Sequence, residues 1–122
     1  MQLGYVVLYV EDVDACAEFW VEKLGGLVVE SNRAGEFKIC KIGFPEAVAG
    51  LELVPKALMK DNPDGLDLAT PSLCFYVKYA AQEHEKLSKM GLNVAPVREH
   101  FGKTSFAFQD NEERWFAVMQ TS

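Results

Sequence analysis

Glu52 stands in the segment GLELV, a lone carboxylate inside an otherwise apolar run. In such surroundings a carboxyl group is protonated, takes a hydrogen bond or a positive charge, or ligates a metal ion. Other side chains with ligating or nucleophilic chemistry are sparse. Cys16, Cys40 and Cys74 are odd in number, widely separated and without a Cys-x-x-Cys pair. They support neither a zinc knuckle nor a redox pair, and read as small buried hydrophobes. Cys74 has no adjacent base that would make it a nucleophile. His84 falls beside an apolar helical stripe and His100 in the turn REHFGK, which gives both structural or solvent-facing roles.

The elements that must position Glu52 repeat. Residues 5 to 10, YVVLYV, alternate as a strand, with Val6, Leu8 and Val10 on one face and Tyr5, Val7 and Tyr9 on the other. Asp12 is an N-cap for a helix in which Val13, Cys16, Ala17, Trp20 and Leu24 recur at helical spacing, until Gly25-Gly26 stops it. That helix is expected to cover the Val6–Leu8–Val10 face. Three strands are expected next, at about Leu27–Ser31, Glu36–Gly43 and Ala49–Val54, with turns at Asn32–Gly35 and around Pro45. PKALMKDNPDGLDLATP then reads as a linker or exposed loop.

From Ser72 the pattern returns. SLCFYVKYAAQEHEKLSKMGLNV gives a strand, a helix with Ala80, His84 and Leu87 on one side, and a stop at Gly91. Strands are expected at about Val94–Arg98, Thr104–Gln109 and Trp115–Gln120. The chain is thus read as α+β, one domain of two βαβββ modules, at about 1–56 and 71–122, joined by a loop at about 57–70. Helices cover one sheet face in each module, and the other faces must meet each other, a partner chain or a ligand.

Composition narrows the function. No apolar run approaches the roughly 20 residues that span a bilayer, and no basic-then-apolar leader opens the chain. A cytoplasmic protein without a membrane role is therefore expected. The formal charge of −6 and the lack of clustered Lys and Arg disfavour nucleic acid.

The stretches LYVEDVDACAEFWVEKLGG and FAFQDNEERWFAVMQ, with the repeated module, resemble the glyoxalase / bleomycin-resistance / ring-cleaving dioxygenase superfamily, the vicinal oxygen chelate fold. The resemblance spans almost the whole chain. It rests on Asp12, Phe19-Trp20 and Leu24-Gly25, while the usual Asp-Pro-Asp-Gly-Asn turn reads Asp110-Asn111-Glu112-Glu113-Arg114 here. It implies two mixed sheets curving into a cleft, and a homodimer. The family's metal-ligand positions carry over as Tyr5, Glu52, Ser72 and Ala117, of which Glu52 alone is a usual ligand. A catalytic ion of this type needs roughly three or four imidazole or carboxylate donors, so neither a metal nor a cofactor is expected.

Strand alternation places Tyr5, Tyr9, Glu52, Ser72, Tyr76, Trp115, Ala117 and Met119 on the face that would bind a ligand. Aromatic rings there stack planar molecules or hold cations against their faces. The implied function is that of the metal-free, bleomycin-resistance-type members: sequestering a planar or cationic small molecule. The alternative is a divergent lyase or isomerase using Glu52 as acid or base. Glu52 is expected to be satisfied by bonding Tyr5 or Ser72 or by pairing with Arg33, Lys38 or a cationic ligand.

Overall fold

The computed structural model describes residues 1–121. The chain divides into two compact units, Met1–Thr70 and Pro71–Ser122. The first runs β1 (Tyr5–Val10), α1 (Val13–Glu22), β2 (Leu27–Ala34), β3 (Phe37–Gly43) and β4 (Gly50–Pro55), followed by one 3-10 turn at Lys56–Met59. Its sheet has the order β1-β4-β3-β2, parallel between β1 and β4 and antiparallel elsewhere. Asp12 caps α1 by accepting the Ala15 N–H at 3.0 Å, and Gly25, at φ +77°, turns the chain out of the helix. Val13, Cys16 and Trp20 on α1 and Leu8, Val10, Cys40, Ile42, Leu51 and Leu53 on the sheet are all buried. Phe19 and Phe44 meet Trp20 edge to face, at 5.6 and 6.1 Å.

The second unit repeats the order as β5 (Cys74–Val77), α2 (Ala80–Lys89), β6 (Arg98–His100), β7 (Lys103–Gln109) and β8 (Trp115–Gln120), with the sheet order β5-β8-β7-β6. Its core is more aromatic. Phe75, Phe108 and Phe116 pack with centroids 5.8 to 6.4 Å apart. His84 has the expected structural role: its Nε2 is 2.9 Å from the Ala95 carbonyl and its ring stands edge-on to Phe106. The expectation for the His100 side chain lies outside the described residues. Among the described residues no helix is long and apolar enough to cross a membrane.

Three boundaries differ from expectation, each for a local reason. The first hairpin turns on Gly35 and Glu36 alone, because Gly35 takes φ +64° and lets Ala34 pair with Phe37; β2 therefore runs on through Asn32 and Arg33. The expected strand at Val94–Arg98 begins only at Arg98. Pro96 has no N–H to donate, and what precedes it is one bridge from Val94 to Phe108 and an Ala95 N–H bond to the Ala107 carbonyl. Ser72 precedes its strand, which begins at Cys74. Within the segment after Pro55, Asn62 closes a turn by donating to the Leu66 carbonyl (2.8 Å) and accepting the Leu66 N–H (3.0 Å).

The turn from β7 to β8 folds without the family's proline and glycine. Asp110 is buried and its Oδ1 accepts the N–H groups of Glu112 and Arg114 at 2.9 and 2.8 Å. Its Oδ2 meets Arg114 Nη1 at 3.2 Å, and Glu112 takes Nη2 at 3.0 Å. Burial opposes the Arg114 charge, but its bonds to Glu112 and Asp110 outweigh that and raise its pKa. Glu113 sits at φ +67°, the left-handed region that disfavours a side chain. Glu113→Gly is therefore expected to stabilise the protein by about 1 kcal/mol, the left-handed cost less the entropy of glycine, in denaturant titration. Asp110→Ala is expected to cost about 2 kcal/mol by the same measurement, because it leaves the N–H groups of Glu112 and Arg114 without their acceptor and removes one of the two carboxylates on the half-buried guanidinium.

Candidate functional site

The face of the first sheet away from α1 carries a polar cluster centred on β3. Register sets it: Lys41 lies opposite Glu30 on β2 and opposite Glu52 on β4, and Glu52 lies opposite Val7 on β1. The Lys41 ammonium is 3.2 Å from Glu30 Oε2 and 3.8 Å from Glu52 Oε2. It also stands over the Tyr5 ring, 4.7 Å from the centroid. Asn32 Nδ2 donates to Glu30 Oε2 at 2.9 Å. The hydrogen bond to Glu30, helped by the charges of Glu30 and Glu52, holds the Lys41 pKa above the ordinary lysine value against partial desolvation. Gly50, opposite Tyr5, gives the ring its place: a Cβ there would strike the Ile42 carbonyl and come within 3.2 Å of Tyr5 Cε1.

Glu52 thus has a cationic neighbour, but not one of those expected. Lys38 pairs with Asp14 at 2.8 Å, and Arg33 Nη1 donates to the Glu36 carbonyl at 3.4 Å. Strand parity explains the difference. Lys38 shares the face of Cys40 and Ile42, which are buried under α1, whereas Lys41 points the other way with Glu52. Lys41 and Glu30 were missed although the signal was present: in FKICKIG, any register that buries Cys40 and Ile42 turns Lys41 to the open face. Of the expected aromatic pair, Tyr5 joins this cluster, while Tyr9 lies further along β1 opposite a buried Val54.

In the second unit, the face away from α2 carries Cys74 and Tyr76 on β5 and Trp115, Ala117 and Met119 on β8. Cys74 pairs with Ala117 and Tyr76 with Met119. Tyr76 is 71% exposed and Trp115 47% exposed, against 1% for Trp20 in the first core. Ser72 is exposed and just ahead of the strand, on the same alternation as Cys74, because the Ala117 N–H already bonds the Leu73 carbonyl. Cys74 is exposed, whereas Cys16 and Cys40 are buried, and burial pushes the Cys40 thiol pKa up. A shallow depression of about 360 Å³ lies at the start of α2, lined by residues such as Lys78, Tyr79 and Lys86, and none of the expected site residues borders it.

The donor set does not fit a divalent ion. Tyr5 offers a phenol already facing an ammonium, Ser72 an exposed hydroxyl, Ala117 nothing, and Glu52 a carboxylate shared with Lys41. Among the described residues no three His, Cys, Asp or Glu side chains converge where they could hold a metal ion.

A family model described as the Glyoxalase/Bleomycin resistance protein/Dioxygenase superfamily matches residues 2–118. The chain is 27% identical over 122 residues, 98% of each chain, to the uncharacterized protein YetH of Bacillus subtilis (strain 168). It superposes with a TM-score of 0.84 on a solved member of the same superfamily from Sphaerobacter thermophilus DSM 20745, at 16% identity over 99% of this chain and 98% of that one. It also superposes with a TM-score of 0.81 on TnmS3, an antibiotic binding protein from Streptomyces sp. CB03234, at 15% identity over 100% and 97%. At those identities the two structures speak for the fold.

The ionised form of Lys41 is favoured in the folded chain. Its contribution to stability is therefore full below the ordinary value of 10.5 and is lost as pH rises through the higher folded value. In urea unfolding, the stability gap between the wild type and Lys41→Met is expected to be constant through neutral pH and to narrow only above pH 10.5. A gap that narrowed between neutrality and pH 10.5 would contradict this pairing.

Proposed function

The chain belongs to the glyoxalase/bleomycin resistance protein/dioxygenase superfamily, and we propose that it is a binding member, sequestering a planar organic molecule on its open sheet faces without a metal ion. The observation that carries this reading is the exposure of Tyr5, Tyr76 and Trp115 on faces that the helices leave uncovered. A soluble chain leaves large aromatic rings in water at some cost, and rings so placed stack on planar ligands. The donor set supports the metal-free part, because one shared carboxylate cannot anchor an ion. The fold shared with TnmS3 shows that this architecture accommodates antibiotic binding in at least one protein.

Trp115 provides the readout. Trp20 is buried and Trp115 is half exposed, so a planar compound stacking on β8 is expected to quench the emission of Trp115 and leave that of Trp20. A library of planar aromatic compounds is screened by thermal shift in chelator-treated protein. A compound at about a hundred times its Kd stabilises the fold by roughly 2.7 kcal/mol. Hits are expected to quench wild-type protein, to leave Trp115→Phe unquenched, and to be recovered chemically unchanged. A screen without a single shift sinks the reading. Recovery of an altered compound, with turnover lost in Glu52→Gln, replaces it with acid/base catalysis at Glu52.

A further inference from the structure

We propose that Lys41 is the specificity-determining residue of the first unit's open face, a built-in counter-ion that keeps external cations from Glu52 and Tyr5 and leaves the face to uncharged planar molecules carrying a hydrogen-bond donor. This rests on the ligand-binding reading and names the class of ligand. Two carboxylates and an aromatic face gathered on one spot are the recognition chemistry for an organic ammonium. Here the spot is filled from within: one ammonium stands 3.2 Å from Glu30, 3.8 Å from Glu52 and 4.7 Å over the Tyr5 ring. Lys41 is on a strand flanked on both sides by the strands that carry the carboxylates, so backbone pairing fixes all three. A tethered group competes at high effective concentration, and a displaced ammonium would stay beside the incoming cation and repel it.

The two ion pairs are unequal, and the difference gives the ligand its second feature. Glu30 is held closely by Lys41 and also accepts from Asn32, whereas Glu52 stands near the limit of ion pairing. Glu52, a quarter exposed, therefore keeps acceptor capacity for a phenol O–H or an amide N–H.

The test uses two planar probes of similar size, the neutral donor 2-naphthol and the cation N-methylquinolinium, in equilibrium dialysis. The proteins are wild type, Lys41→Met and Lys41→Met/Glu52→Gln, with Lys41→Gln as a second single variant should the Met variant not fold. Wild type is expected to prefer 2-naphthol. Lys41→Met is expected to bind N-methylquinolinium about fivefold more tightly than wild type, the upper end of what a solvent-accessible ion pair is worth, and the double variant to lose that gain. Equal affinity of wild type and Lys41 variants for the cation overturns the proposal, as does a gain that survives Glu52→Gln. Failure of 2-naphthol and every other neutral planar compound to bind any variant counts instead against the ligand-binding reading, while the cation comparison still decides the role of Lys41.

Discussion

One short helix covers one face of one sheet. α1 and α2 are ten residues each, so each is about 15 Å long, against roughly 14 Å between the outer strands of a four-stranded sheet. Among the described residues, neither unit has a second α-helix to cover the other face. The parity of each strand position therefore decides its chemistry. Leu8, Val10, Cys40, Ile42, Leu51 and Leu53 are drawn under α1, and Phe106, Phe108, Phe116 and Val118 lie on the α2 side. Tyr5, Lys41, Glu52, Tyr76 and Trp115 are left facing out. The site is what remains once the cores are satisfied.

Charge is handled in two ways. In the β7–β8 turn, Asp110 is buried and Arg114 half-buried, and the pair is tolerated because Asp110 also accepts two backbone N–H groups and Glu112 takes the second guanidinium nitrogen. Side-chain bonds hold the turn without proline or glycine, and Glu113, at the family's glycine position, bears the left-handed backbone there. On the open face the charges are shared among Glu30, Lys41 and Glu52, partly wet and adjustable. The first arrangement fixes a loop, and the second leaves room for a ligand to intervene.

The βαβββ repeat, both helices, the Asp12 cap and the shared parity of Tyr76 with Cys74 and of Trp115 with Ala117 and Met119 were legible in the sequence, because each depends on spacing within a short window. Boundaries at Ala34 and Arg98 were less so, since one depends on Gly35 taking positive φ and the other on the missing N–H of Pro96. The partner of Glu52 was misread because inter-strand register is not written in either strand. Arg33 and Lys38 are no further from Glu52 in the chain's logic than Lys41 until Cys40 and Ile42 are assigned to the core. Once that assignment is made, Lys41 follows.

β1 hydrogen-bonds only to β4, with Tyr5 opposite Gly50. On the ribosome the opening strand therefore emerges long before its neighbour exists, while β2 and β3 zip together across Gly35-Glu36 as soon as both are out. The second unit repeats the delay, since β5 pairs with β8, the last strand of its sheet in chain order. Each sheet grows from its hairpin toward the opening strand, because long-range closure is entropically disfavoured until the local pairs are in place. The segment YVVLYV, apolar on both faces but for its tyrosines, stays without its strand partner until β4 has been made.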